Sequence, residues 1–248
     1  MTTFPPQPDR SPVGDLDLHL LFEGSHRRLH DVLGAQPTEN GCWFSVWAPN
    51  ARSVRVLCEH DGWHDGHHLA RRGDTGVWSA HLEGAGPGHA YHFRIETADG
   101  ALLDKADPVA AAATEPPSTA SRIADLAHDW HDEDWMQTRG ERIALDAPVS
   151  IYEVHLGSWG RIGPSPGRRF PTYDQLADPL ADHALAHGFS HVELLPVTEH
   201  PFYGSWGYQA TGYFCPTARY GTPRQFMEMV DRLHQRGVGV ICDWVPSH

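Results

Sequence analysis

Residues 193–221, ELLPVTEHPFYGSWGYQATGYFCPTARYG, place Phe202, Tyr203, Trp206, Tyr208, Tyr213 and Phe214 within 13 positions. Aromatic faces bury C–H surface, and a phenol or indole adds a hydrogen-bonding edge, so such a cluster suits a ligand with apolar faces and polar rims. The same rings can also pack as a satellite core under their own loop, and that alternative stands for each of them. A second stretch, DWVPSH at 243–248, pairs a carboxylate, Asp243, with an imidazole, His248, five residues on. Both can hydrogen-bond hydroxyl groups. Each also has a plain reading, an aspartate capping a turn and a surface histidine. A third group, His60, His64, His67 and His68 beside Asp61 and Asp65, holds metal-ligand types. Gly62 and Gly66 put it in a turn rather than on a helix face, and no zinc spacing fits, so no metal is expected. Cys42, Cys58, Cys215 and Cys242 are scattered without a C-x-x-C pair, which excludes a sequence-readable disulfide framework or zinc knuckle.

The elements that must position these residues fall into two textures. Residues 1–16 are polar and proline-rich and read as a disordered tail. From 17 to 125, period-2 runs recur at Phe44, Val46 and Ala48, at Val54, Val56 and Cys58, at Val77, Ser79 and His81, and at Tyr91, Phe93 and Ile95. Pro49-Asn50, Asp61-Gly62, Gly73-Asp74 and Asp99-Gly100 punctuate them as turns, so this part predicts a β-sandwich. Within it, 104–124 reads as an extended connector whose alanine run could make one helical turn. Residues 126–147 form a connector of unassigned structure. From 148 to 248 the pattern is strand (149–155), helix (172–188), strand (191–196), helix (222–237), strand (238–244), a βαβαβ unit with parallel strands. Thr172 and Thr222 are the expected N-caps, Gly188 and Gly237 the expected stops, and Pro179 is expected to kink or break the first helix. This unit reads as the opening part of a (β/α)8 barrel, because no helix follows the third strand and a whole barrel needs ~250 residues. The chain accordingly reads as the front part of a longer protein. The aromatic loop connects a strand to a helix in about 26 residues, against the usual ~2–6, which marks it as functional.

Composition narrows the ligand. The chain has 248 residues and a formal charge of −13, from 19 basic and 32 acidic side chains, so nucleic acid is a poor partner. Aromatics reach 10%, including nine tryptophans, a profile suited to neutral hydroxylated ligands such as sugars. No apolar run approaches a membrane span and no secretory leader is evident, so a cytoplasmic protein without a membrane partner is expected.

With those motifs in place, YEVHLGSW (152–159), ELLPVTEHPFYGSWGYQATGYF (193–214) and DWVPSH (243–248) resemble the bacterial 1,4-α-glucan branching enzymes of glycogen biosynthesis. These belong to the α-amylase superfamily, glycoside hydrolase family 13. GCWFSVWAPNARSVRVL (41–57) resembles the family-48 carbohydrate-binding module that precedes the barrel in such enzymes, so the likeness covers about 20–248. It implies a glycosyltransferring enzyme of the parent protein, acting on α-glucan, with no cofactor and as a monomer. Tyr208 matches the tyrosine that stacks on glucose at the cleavage point, Asp243 the aspartate of the first barrel motif, and His248 a histidine contacting the same sugar. Trp206, in the same SWGYQ signature, joins them as a substrate-binding candidate.

Two departures matter. Ser247 stands where α-amylases carry a calcium-ligating asparagine, which agrees with branching enzymes and with the absence of a metal. CEHDGW (58–63) replaces the module's usual Gly-Asp-Phe-Asn-x-Trp, so Trp63 and Trp78 read either as a stacking platform or as packing. The nucleophile and the acid/base carboxylate of the family lie on later barrel strands, so no catalytic residue is expected in this chain, and it is predicted inactive alone. Asp243, Glu193 and Glu153 are not promoted in their place. Alternative readings are a non-catalytic glucan-binding fragment, and a trehalohydrolase or debranching hydrolase relative.

Overall fold

The computed structural model describes residues 11–160 and 167–247. The chain divides into two compact units, residues 1–125 with Gly212–Cys215, and residues 126–211 with 216–248.

The first unit opens with helix α1 (Asp15–Phe22), followed by strands β1 (Gly34–Pro37), β2 (Gly41–Trp47), β3 (Ser53–Cys58), β4 (His67–His68), β5 (Ala70–Arg71), β6 (Val77–Glu83), β7 (Ala90–Glu96), β8 (Leu102–Lys105), β9 (Ala112–Ala113) and β10 (Ser121–Arg122). They form two antiparallel sheets. One has the order β1-β2-β6-β5, the other β4-β3-β7-β10-β9 with β8 beside β7. The alternation read from sequence is the pleat: Cys42, Phe44 and Val46 of one sheet meet Val54, Val56 and Cys58 of the other, together with Tyr91 and Phe93, in a single buried cluster. That shared core makes the unit a β-sandwich. Two expectations are corrected here. The tail assigned to 1–16 is structured before its end, because Val13 is buried with Leu33 and Val77, against Leu18 and Leu21 of α1. The alanine run forms the strand Ala112–Ala113 rather than a helical turn.

The second unit holds α2 (Glu133–Arg142), β11 (Ile151–Val154), α3 (Tyr173–Ala186), β12 (His191–Leu194), β13 (Thr198–Glu199), α4 (Pro223–Gln235) and β15 (Gly239–Cys242), while the strand β14 (Gly212–Pro216) counts with the first unit as far as Cys215. β11, β12 and β15 are parallel and level: Val154 lies beside Leu194, and Leu194 beside Cys242. Tyr152, Val154, Val192, Leu194 and Val240 pack on one face against the apolar stripes of α3 and α4. Glu153, Glu193 and Ile241 share the register position between them and therefore point to the opposite face. Thr172 and Thr222 cap their helices in capping boxes with Gln175 and Gln225.

Pro179 does not break α3, which runs uninterrupted from Tyr173 to Ala186. Leu176 and Ala177 before it, and Leu180, Ala181 and Ala184 after it, are all buried in one core, so packing on both sides outweighs the lost hydrogen bond. The connector 126–147 contains a ten-residue helix, α2, that sequence periodicity hides because Trp135 is its one buried side chain. No helix among the described residues is long and apolar enough to cross a membrane.

Candidate functional site

The level ends of β11, β12 and β15 make a common edge, and the chemistry-bearing residues sit just past it. Asp243 is the first residue beyond β15, its N–H held by the Leu194 carbonyl at 3.0 Å. His155 is the first beyond β11. The loop after β12 delivers Tyr208, whose hydroxyl donates to Asp243 Oδ2 at 2.8 Å. That hydrogen bond, then burial, raises the ionisation of the Tyr208 phenol above its usual value, so it remains a neutral donor.

Trp206 stacks on His155, with ring centroids 5.6 Å apart and planes at 28°. Burial, aided by nearby His200, pushes the His155 imidazole below the ordinary histidine range. A neutral ring therefore lies behind the indole at neutral pH, and the indole is 56% exposed. Trp206 holds φ +55°, in the left-handed region that β-carbon sterics disfavour. Gly207 follows at φ +90°, where a β-carbon would lie 2.2 Å from the Pro196 carbonyl oxygen. The SWG turn is thus built by one strained residue and one position open only to glycine, and it turns an indole outward.

The loop's aromatics divide by role. Tyr203 packs inward, stacked on Phe170 at 5.0 Å with Arg169 4.8 Å over its ring. Phe202, Tyr213 and Phe214 are exposed, as is Trp206. At Gly157, in the segment after β11, a β-carbon would lie 2.5 Å from the Tyr220 hydroxyl and 2.9 Å from that of Tyr203, so the two strand-end segments close together.

What holds the loop is a pair that sequence reading passed over. Glu199 and Arg219 are both buried, with Arg219 Nη1 2.8 Å from Glu199 Oε1. Glu199 also accepts from Thr217 Oγ1 at 3.0 Å and from the Ala218 N–H at 2.7 Å. Arg219 donates in addition to the carbonyls of His200 at 2.6 Å and Pro201 at 3.2 Å. Glu199-His200-Pro201 is therefore the anchor of the loop, with its glutamate inside. His155 was likewise missed, because nothing local links it to Trp206.

Of the four candidate ligand-binding residues, Tyr208 and Asp243 are hydrogen-bonded to each other, and Trp206 is exposed in the same loop as Tyr208. His248 lies outside the described residues. In the sandwich, Trp78 is buried, its Nε1 donating to the Ala48 carbonyl at 3.0 Å, so it packs. Trp63 is 40% exposed, 5.7 Å from the His92 ring.

Comparison with known proteins follows from this geometry. Residues 32–110 match the family model of carbohydrate-binding module 48, the isoamylase N-terminal domain. Over 238 residues the chain is 52% identical to a 1,4-alpha-glucan branching enzyme of Albidiferax ferrireducens, covering 94% of this chain and 37% of that protein. It is 50% identical to the branching enzyme of Aromatoleum aromaticum, over 96% of this chain and 37% of that one. Over nearly its whole length the chain is similar to 1,4-alpha-glucan branching enzymes. It spans about a third of the length of these curated relatives. Among solved structures it is similar to an alpha amylase of Salmonella typhimurium (TM-score 0.67, 24% identity, 86% of this chain and 32% of that one). A pullulanase of Paenibacillus barengoltzii, complexed with maltotriose, gives TM-score 0.63 and 23% identity over 87% of this chain and 38% of that one. At those identities the likeness is one of fold alone, a β-sandwich followed by a parallel βαβαβ unit.

Proposed function

We propose that the protein to which these residues belong is a 1,4-α-glucan branching enzyme. It cleaves an α-1,4 bond of a glucan chain, holds the released segment as a covalent glycosyl-enzyme, and passes it to a 6-hydroxyl, forming an α-1,6 branch. The observation that supports this reading best is the Tyr208–Asp243 hydrogen bond at the end of β15, in a chain half identical to branching enzymes. A strand-end carboxylate held by a phenol is a fixed acceptor for sugar hydroxyls, and the Tyr208 ring offers a face to the same sugar. Trp206, presented outward on His155, extends the aromatic wall along the glucan and limits the access of water that competes with the acceptor hydroxyl. His248 completes the subsite in this proposal.

The nucleophile and the acid/base are assigned to no residue of this chain. Glu153 and Glu193 lie side by side in register, yet both stand inside the strands rather than beyond their ends, and Tyr208 engages Asp243. The 248-residue chain by itself is therefore expected to make no branches. The enzyme acts in the cytoplasm on glycogen or linear glucan, as a monomer, without a cofactor and without nucleic acid or a membrane as partner. The module match at 32–110 favours a contribution of the sandwich to glucan retention, which affinity electrophoresis in glycogen gels measures.

The test of the site is Tyr208→Ala in the whole enzyme. The expected result is a loss of turnover of about a hundredfold or more, as removal of a group positioned at the reacting sugar costs ~10² or more. Unchanged turnover would sink the assignment.

A further inference from the structure

On the side of α4 that faces residues 126–132, three side chains converge that the glucan site does not use. His128, Glu228 and Asp231 each bring a potential ligand atom within 4.8 Å of the other two. Glu228 and Asp231 are three residues apart on α4 and share a face. His128 comes from the segment ahead of α2, a hundred residues earlier in the chain. Its side chain is 6% exposed and that of Asp231 2%.

The imidazole supplies the deciding observation. His128 Nε2 is buried and makes no hydrogen bond. It stands 3.4 Å from Asp231 Oδ2, an ion-pair contact longer than a normal hydrogen bond. A buried nitrogen left this way is costly, and a small shift toward the carboxylate would remove that cost. The spacing has another meaning. Two atoms each ~2.1 Å from a tetrahedral ion stand ~3.4 Å apart, the edge of its coordination shell. Asp231 is otherwise positioned from outside, its Oδ1 taking the His131 N–H at 3.0 Å. Glu228 takes Arg232 Nε on Oε1 at 2.6 Å, and its second carboxylate oxygen is the remaining candidate ligand atom.

We propose that His128, Glu228 and Asp231 form a zinc(II) site that fastens the 126–132 segment to α4. One imidazole nitrogen with two carboxylates suits zinc, whereas calcium and magnesium prefer all-oxygen shells. The fourth vertex falls to water or, after a rotation of its 68%-exposed ring, to His131, whose Nδ1 already lies 3.3 Å from Asp231 Oδ2. The sequence hides this site because its halves, H-x-x-H at 128–131 and E-x-x-D at 228–231, lie far apart in the chain. It departs from the expectation of no metal, which weighed the histidines of 60–68. Their ligand atoms do not gather in the same way among the described residues.

The test titrates EDTA-stripped protein with zinc sulfate by calorimetry, and with cobalt(II) for the visible absorption of a tetrahedral site. One zinc per chain is expected. His128→Phe keeps a ring against Trp130, which now meets the His128 ring edge-on at 4.7 Å. His128→Phe and Glu228→Gln should each weaken zinc by about a hundredfold, at or above the ~10–100-fold that loss of an outer-shell partner costs. His64→Ala with His67→Ala should leave it unchanged. Circular dichroism identifies any variant that fails to fold. Glu228→Gln, altered on a partly exposed helix position, then decides alone. Substoichiometric zinc, or undiminished zinc in folded His128→Phe and Glu228→Gln, overturns the proposal and leaves an ordinary His128–Asp231 ion pair.

Discussion

Replacing Arg219 with methionine tests whether the Glu199–Arg219 pair holds the aromatic loop. Methionine approximates the length of the arginine stem but removes the charge and the fork of donors. Glu199 then keeps its bonds from Thr217 and Ala218 but remains a buried carboxylate without a counter-ion. Removing one partner of a buried pair costs about 3–5 kcal/mol, because the charge left behind is not solvated. At ~2–4 °C per kcal/mol for a protein of this size, Tm should fall by roughly 10 °C. Arg219→Lys keeps the charge but loses the fork that reaches the His200 and Pro201 carbonyls, and should cost about 1–2 kcal/mol, one or two hydrogen bonds. Hydrogen exchange over 198–219 should quicken in the order wild type, lysine, methionine. A methionine variant within about 0.5 kcal/mol of wild type, or no less stable than lysine, would refute the argument from buried charge.

Three further outcomes follow from single residues. Burial pushes the Asp107 carboxyl up to about 6, against the pull of the Tyr91 hydroxyl and the Val109 N–H. The raised value favours the neutral acid in the fold, so its contribution to sandwich stability is complete below about pH 4 and lost as pH rises through about 6, a change of about 3 kcal/mol. Urea melts at pH 4 and 7.5 should show a difference that Asp107→Asn flattens. Gly207→Ala, forced against Pro196 O at positive φ, should cost about 3 kcal/mol by thermal melt, and ultraviolet titration should show the Tyr208 phenol falling back toward its ordinary value. Pro179→Ala should stabilise the second unit by about 2 kcal/mol, since a helix-interior proline costs ~3 and its stiffening of the unfolded chain returns up to ~1.

The parts of this protein that sequence makes legible are those written locally. Phe44, Val46, Val54, Val56 and Phe93 alternate because a pleated strand alternates, and they lie in the sandwich core. Thr172 with Gln175 and Thr222 with Gln225 announce helix starts within four residues. Tyr208, Trp206 and Asp243 are conspicuous because a long aromatic loop and a strand-end carboxylate are unusual by themselves. The rest is carried by contacts between distant residues. Arg219 stands 20 positions from Glu199, and His131 stands 100 from Asp231, so neither pair leaves a local period. Helix α2 leaves no local period because it buries a single side chain, Trp135, and Pro179 is held within α3 by a core on both sides of it that its neighbours in sequence do not reveal.

The most direct measurement is linkage analysis of the product. The enzyme that carries these residues, purified from its native source, is incubated with linear amylose, and proton NMR counts α-1,6 anomeric signals while a reducing-end assay follows hydrolysis. A branching enzyme predicts debranching-sensitive α-1,6 linkages accumulating as α-1,4 bonds of long chains are broken, with no matching net rise in free reducing ends. Reducing ends that climb without α-1,6 signals would contradict the account and place the protein among the hydrolases.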